Sequence, residues 1–266
     1  MITLLAALAI SQSQELIVDD AAIMAALNSY GEQVASGAVP QNNKDLQSQL
    51  SRKTASVSFP AAKPLVNRES SLYDAAKKAT VIFSSFGLCG NCDKFHPNPA
   101  SGFIVSPDGL VITNHHVIEN AEASAFAVMT FDKKVYRVTE VLASNEQADV
   151  ALVRIDGKNL PYLPVRAAAD LGETVYCLSH PRSKFFTMTK GAASRYMMDR
   201  GTPWLEITAD YAVGSSGGPV FDATGQVIGL VSMTNSVYAG ETRNSDLQMV
   251  RKICVPSKAI LDLIKK

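Results

Sequence analysis

Apolar residues between positions 80 and 256 come in short runs rich in Val, Ile and Phe, separated by Gly, Pro, Asp and Asn. Two sets of six such runs can be counted. The first comprises 80–86, 102–105, 110–113, 125–131, 135–142 and 150–155; the second comprises 174–179, 185–195, 204–208, 219–221, 227–233 and 249–255. Many short strands punctuated by turns are the pattern of an all-β barrel or sandwich. Pro107-Asp108-Gly109 supplies one hairpin turn. A helix over 256–264 closes the chain.

Ahead of this region the period changes. Asp19-Asp20 precede Ile23, Met24, Leu27, Tyr30 and Val34 at helical spacing, and residues 37–40, from a Gly to a Pro, stop the helix. A second, more polar helix is expected through Leu46 and Leu50. Residues 57–71, with Pro60 and Pro64, read as a linker. Residues 11–71 are thus a partly helical extension and linker, too poor in apolar residues for a core of their own.

Composition narrows the partners. Hydrophobic residues make up 47% and charged residues 19%, with 25 basic and 25 acidic side chains. Such a chain is globular and has no strong field to hold nucleic acid or anionic lipid. After Ile10 no apolar run approaches the roughly 20 residues that cross a bilayer, so no membrane span is expected in the mature chain. Residues 1–10 are apolar enough for a signal-peptide core, with Ala7-Leu8-Ala9 as a small-x-small cleavage site. The expectation is a secreted or periplasmic protein. Because no Lys or Arg precedes that core, a frayed apolar terminus is the alternative.

Three runs carry chemistry: Thr113-Asn114-His115-His116-Val117, Ala148-Asp149-Val150-Ala151-Leu152 and Gly214-Ser215-Ser216-Gly217-Gly218-Pro219. A serine hydroxyl is a poor nucleophile unless an imidazole takes its proton, and the imidazole needs a carboxylate to fix its tautomer. Asp149 opens a β-branched run, which would shield its carboxylate from water. Gly214 lets the backbone turn so that its N–H and that of Ser216 meet at one spot, an oxyanion hole. The last run also fits the G-x-S-x-G elbow of α/β-hydrolases, but that fold needs its histidine after the serine. Here His96, His115, His116 and His180 all precede Ser216.

Together the three runs resemble the chymotrypsin superfamily of trypsin-like serine proteases. The resemblance covers about residues 79–264 and implies two six-stranded antiparallel β-barrels, at about 79–160 and 165–256, within a protease domain over 72–266 that ends in the helix 256–264. His116 and Asp149 would come from the first barrel and Ser216 from the second, with the site in the cleft between them. The family pattern points to His116 rather than His115, because an apolar residue follows it directly. Ser101-Gly102-Phe103-Ile104-Val105, the run 109–114 and Cys254-Val255-Pro256-Ser257 are similar to bacterial Deg/HtrA-type proteases more than to digestive trypsins. No PDZ module is expected, since the chain stops at Lys266.

The resemblance also implies that Ser232, Met233 and Thr234 form an edge that pairs with substrate backbone. Asp210, six residues before Ser216, stands where trypsins place the aspartate of the primary specificity pocket, implying a preference for Lys or Arg. Ser215 occupies the position of the aspartate that receives a newly cut amino terminus in trypsin. A hydroxyl cannot compensate a buried ammonium. Local hydrogen bonds or substrate should therefore order the oxyanion loop, and chains starting anywhere between about Gln14 and Ser70 should be comparably active per folded molecule, or uniformly more active if the extension blocks the cleft.

Cys89-Gly90-Asn91-Cys92 followed by His96 offers three zinc ligands without an evident fourth. In an exported chain a local disulfide is the simpler account, and no βαβ pattern supports a redox site. No metal and no cofactor are expected, and Cys177 and Cys254 read as buried thiols. The reading is a serine endopeptidase acting on proteins or peptides through an acyl-enzyme at Ser216. Its alternative is a weak or inactive trypsin-like fold that binds peptides. Nothing in the sequence sets the oligomeric state.

Overall fold

Val81 and Phe83 belong to one buried apolar cluster and Ile82 and Phe86 to another, so β1 (Thr80–Leu88) is covered on both faces. The first cluster is the interior of a barrel, where alternate residues of each strand meet: Ile104, Val111, Phe126, Val141 and Val153 join Val81 and Phe83. The other face of β1 packs on the N-terminal helix. In the computed structural model residues 17–88, 92, 94–240 and 246–265 are described.

The first closed barrel runs β1-β2-β3-β6-β5-β4, with β2 Phe95–Ser106, β3 Leu110–Thr113, β4 Ala125–Met129, β5 Val135–Asn145 and β6 Val150–Ile155. The second runs β10-β11-β12-β9-β8-β7. Its strands are β7 Thr174–Ser179, β8 Thr187–Asp199, β9 Thr202–Ile207, β10 Pro219–Asp222, β11 Val227–Tyr238 and β12 Leu247–Pro256. Val175, Cys177, Leu205, Val220, Ile228 and Cys254 fill its interior.

Several strands are longer than the hydrophobic runs imply. β2 starts at Phe95, not 102, and carries Pro97 and Pro99 opposite Phe86 and Ser84. Those prolines are tolerated because this half of β2 pairs only with β1; its pairing with β3 begins at Phe103. β11 and β12 continue as a ribbon to Tyr238 and Leu247, outside the barrel, where burial no longer demands apolar alternation. β8 extends to Asp199 in the same way, but begins only at Thr187, because Phe185 and Phe186 turn inward from a loop. The closing helix is shorter than expected, Ser257–Leu261.

The N-terminal extension wraps the barrels. Helix α1 (Asp20–Ala35) opens with Asp19 accepting the Ala22 N–H and buries Ile23, Leu27 and Val34, with Tyr30 against Phe86 at 5.0 Å. Helix α2 (Asn43–Gln49) is tied to the first barrel by Asn43, whose amide donates to the Ala123 carbonyl at 2.6 Å. Ala55 forms a parallel bridge with Ile264, and the Leu65 N–H donates to Thr224 O. After a short 3-10 turn, α3 (Leu72–Ala76) leads into β1. Ile23, Leu27, Val34 and Ala55 join the cluster that also holds Leu178, Phe221 and Val255, so the extension shares the barrels' core. No described helix is long and apolar enough to cross a membrane. Residues 1–10, read as a signal segment, lie outside the described residues.

Candidate functional site

β3 ends at Thr113 and the chain turns into a single helical turn, α4 (His115–Ile118). Asn114 fixes the approach, its side-chain amide donating to the Asp149 backbone carbonyl at 2.8 Å. Asp149 itself holds the left-handed conformation, φ +53°, just before β6. An aspartate tolerates that region better than most residues, and the kink turns its carboxylate toward His116.

His116 Nδ1 stands 2.9 and 3.0 Å from the two Asp149 oxygens, and the His116 backbone N–H donates to Oδ1 at 3.2 Å. A carboxylate only accepts, so the shared proton belongs to Nδ1 and the Nε2 lone pair is left for the cleft. Asp149 is 14% exposed and His116 49%, so the carboxyl group is sheltered while the imidazole is reachable. Ser232 was expected at a substrate edge; its hydroxyl donates to Asp149 Oδ2 at 2.5 Å. Short-range patterns could not reveal that contact. His115 points the other way, buried, with Nδ1 2.7 Å from Ser144 Oγ.

His116, Gly214 and Ser216 line one cleft of about 600 Å³, together with Arg182 and Val213. No hydrogen bond joins His116 to the Ser216 hydroxyl among the described residues; such contacts commonly tighten only when substrate binds. A larger hollow of about 1090 Å³ lies apart from these residues, between Ile17 and a group of lysines that includes Lys77, Lys133 and Lys158.

The turn before Ser216 is closed by Ser215 N–H donating to Ala212 O at 3.0 Å, with Gly214 in its third position at φ +92°. Val213 is not left-handed, so this is a type II turn, which requires glycine there. Val213 O accepts the Arg182 N–H at 2.7 Å. In a planar trans peptide the next N–H points opposite to that carbonyl. Among the described residues, no acceptor takes the Gly214 or Ser216 N–H. Gly217, at φ +83°, lies so close to Ser101 O that a side chain could not fit.

Ser215 is buried and its hydroxyl accepts from Ser179 Oγ at 3.0 Å. Ser101 Oγ bridges the same region, donating to Gly214 O at 3.0 Å and accepting the His180 N–H at 3.2 Å. Local hydrogen bonds therefore do order this turn. At residues 232–234 β11 pairs with β12 alone, since its pairing with β10 ends at Leu230. Met233 and Thr234 are exposed beside that open edge.

Asp210 faces away from the cleft that His116 and Ser216 line. Its side chain is 85% exposed, 3.3 Å from Lys252 Nζ, and outside the cleft. Its neighbours Ala209 and Tyr211 in the loop after β9 are buried, while Asp210 between them is exposed. Tyr211, missed in the sequence, sends its hydroxyl to Met233 O at 3.0 Å and Ile253 O at 2.9 Å.

Cys89 lies outside the described residues, and the disulfide expected of it with them. Cys92 Sγ is 3.0 Å from His96 Nε2 at the end of the β1–β2 hairpin, and the described residues contain no cluster of three or more His, Cys, Asp or Glu side chains fit to hold a metal. Cys177 and Cys254 are buried thiols. Burial pushes the Cys177 pKa up to about 12 and raises that of Cys254 as well.

Residues 100–230 match the family model described as a trypsin-like peptidase domain. Over 138 residues, half of this chain, the sequence is 35% identical to a probable periplasmic serine endoprotease DegP-like of Pseudomonas fluorescens, of which the match covers 28%. The corresponding protein of Marinomonas sp. is 30% identical over 170 residues, 62% of this chain and 34% of that protein. The chain thus spans about a third or less of these relatives. A solved structure of the HtrA-type protease AlgW with tripeptide aligns with a TM-score of 0.60 at 21% identity, covering 73% of this chain and 61% of that one. It matches the double-barrel fold.

Proposed function

Because the chain carries a trypsin-like peptidase domain and is homologous to the DegP/HtrA-type serine proteases, we propose that it is a serine endopeptidase. Ser216 is the nucleophile, His116 the general base and then acid, and Asp149 the group that orients the imidazole. The observation that carries the reading is the 2.9 Å contact of His116 Nδ1 with Asp149 Oδ1, in a cleft that Ser216 shares.

In this mechanism Ser216 Oγ attacks the scissile carbonyl as His116 Nε2 takes its proton. Asp149 stabilises the imidazolium without becoming protonated. The Gly214 and Ser216 N–H groups, free of protein acceptors, receive the oxyanion of the tetrahedral intermediate. His116 then gives its proton to the leaving amine, and water repeats the sequence on the acyl-enzyme. The open edge at 232–234 takes the substrate as an added strand, so that backbone supplies affinity. The chemistry needs no cofactor. A periplasmic or secreted location is proposed on the naming of the relatives as periplasmic.

The test is labelling with a fluorophosphonate, read by mass spectrometry. Adduct on Ser216 in the wild type and its loss in Ser216→Ala are expected, alongside hydrolysis of casein. Absence of labelling in folded wild-type protein would overturn the proposal.

A further inference from the structure

The loop between β7 and β8 is unusual in its backbone. Arg182, Ser183 and Phe186 all adopt the left-handed region, at φ +46°, +58° and +56°, without being glycine. A segment so disposed persists only where surrounding contacts over-determine it. One of those contacts comes from the far end of the chain. Asp20, in the first turn of α1, accepts the Phe185 N–H on Oδ1 at 2.9 Å and holds Lys184 Nζ 3.2 Å from Oδ2. His180 Nδ1 accepts the Phe186 N–H at 3.0 Å, and Tyr73 donates its hydroxyl to Phe186 O at 3.1 Å.

The same loop reaches the oxyanion turn at its other end, through the Arg182 N–H that holds Val213 O at 2.7 Å. That hydrogen bond sets the plane of the Val213–Gly214 peptide, and hence the direction of the Gly214 N–H. We infer that Asp20 is a positioning residue for the oxyanion hole: the N-terminal helix holds the 180–186 loop in the one conformation whose Arg182 N–H keeps the Gly214 N–H turned into the cleft. This rests on the proposed reading of Ser216 and deepens it. It also replaces the expectation that the start of the chain is immaterial, because any start beyond residue 20 removes the clamp.

Without the Asp20 carboxylate the Phe185 N–H loses its acceptor and the left-handed residues can relax. The Val213 carbonyl then loses its donor, and the peptide is free to rotate. Substrate still binds on the open edge of β11, so the loss falls on the transition state rather than on binding.

The test compares three variants in steady-state hydrolysis of fluorescent casein and in amide hydrogen exchange. Asp20→Ala should lower kcat on the order of tenfold to a hundredfold, the range of a weakened oxyanion donor, with KM within about twofold. Asp20→Asn, which keeps an acceptor for the Phe185 N–H, should recover most of kcat. Asp19→Ala removes the helix cap that accepts the Ala22 N–H and weakens α1 without touching the loop; its kcat should stay near wild type. The amides of Arg182 and Ser215 should exchange faster in Asp20→Ala alone. Wild-type kcat in Asp20→Ala, an equal loss in Asp19→Ala, or unchanged exchange at Arg182 and Ser215 would each overturn the inference. Exchange reads the relay even in a protein without turnover. Failure of the protease reading shows separately, as wild-type protein that fluorophosphonate leaves unlabelled.

Discussion

Ser232, on the second barrel, donates its hydroxyl to Asp149, on the first, at 2.5 Å. The carboxylate that orients His116 is thus held across the cleft as well as within its own barrel. Removing the hydroxyl leaves Asp149 one donor short and freer to turn. Ser232→Ala should lower kcat several-fold with little change in KM, whereas Asp149→Asn, which presents the wrong partner to Nδ1, should cost on the order of 10⁴. Steady-state kinetics on casein separate the two.

The adjacent histidines should behave oppositely. His116→Ala and Ser216→Ala should each remove nearly all activity, and the double variant should lose no more, because the groups act as a unit. His115 is buried and paired with Ser144 Oγ at 2.7 Å. His115→Ala should retain turnover per folded molecule while unfolding at lower denaturant, by about 1–3 kcal/mol for the lost hydrogen bond with Ser144 and the lost packing.

His180 makes stability depend on pH. Burial lowers its pKa from 6.5 to about 4, only partly offset by the Val81 backbone and, less, by the Asp20 carboxylate. The unfolded chain therefore takes up a proton below pH 6.5 that the folded one refuses until about pH 4. Stability is full above the unfolded value and falls between the two pKa values, by about 1.4 kcal/mol per pH unit and roughly 3 kcal/mol in all. Urea unfolding at pH 7 and pH 5 should show this fall. His180→Asn, which keeps an acceptor for the Phe186 N–H but cannot titrate, should show a smaller one.

Asp210 should not set cleavage specificity. Its exposed carboxylate lies beside Lys252 and can offer little to a substrate side chain in water. Asp210→Ala should leave the cleavage pattern on a peptide library unchanged. A selective loss of cleavage after Lys and Arg would contradict this placement.

β3, β6 and β7 were legible to the residue because their apolar runs are buried on both sides and end at turn residues. The start of β2 was not, since Pro97 and Pro99 read as breakers until its edge position is known. The three catalytic candidates announce themselves through short motifs, and the structure brings His116 and Asp149 together with Ser216 on the same cleft. Ser232 on Asp149, Tyr211 beneath β11 and Asp20 on the 180–186 loop left no such mark. Each joins residues distant in sequence, where no local pattern records a partner. The spacing of Asp210 from Ser216 likewise does not report its surroundings: Ala209 and Tyr211 on either side are buried while Asp210 is exposed.

Ala55 receives and donates backbone hydrogen bonds with the segment around Ile264, accepting from Lys265 N–H at 2.9 Å and donating to Leu263 O at 2.7 Å. The two partners lie far apart in the sequence, so the ribosome delivers the strap well before the segment it pairs with. The strap at Ala55 must wait for residues 263–265 to emerge before it can lock, and such long-range closure is slow. A nascent chain that has already exposed Ser216 therefore still lacks the segment that closes this part of the frame.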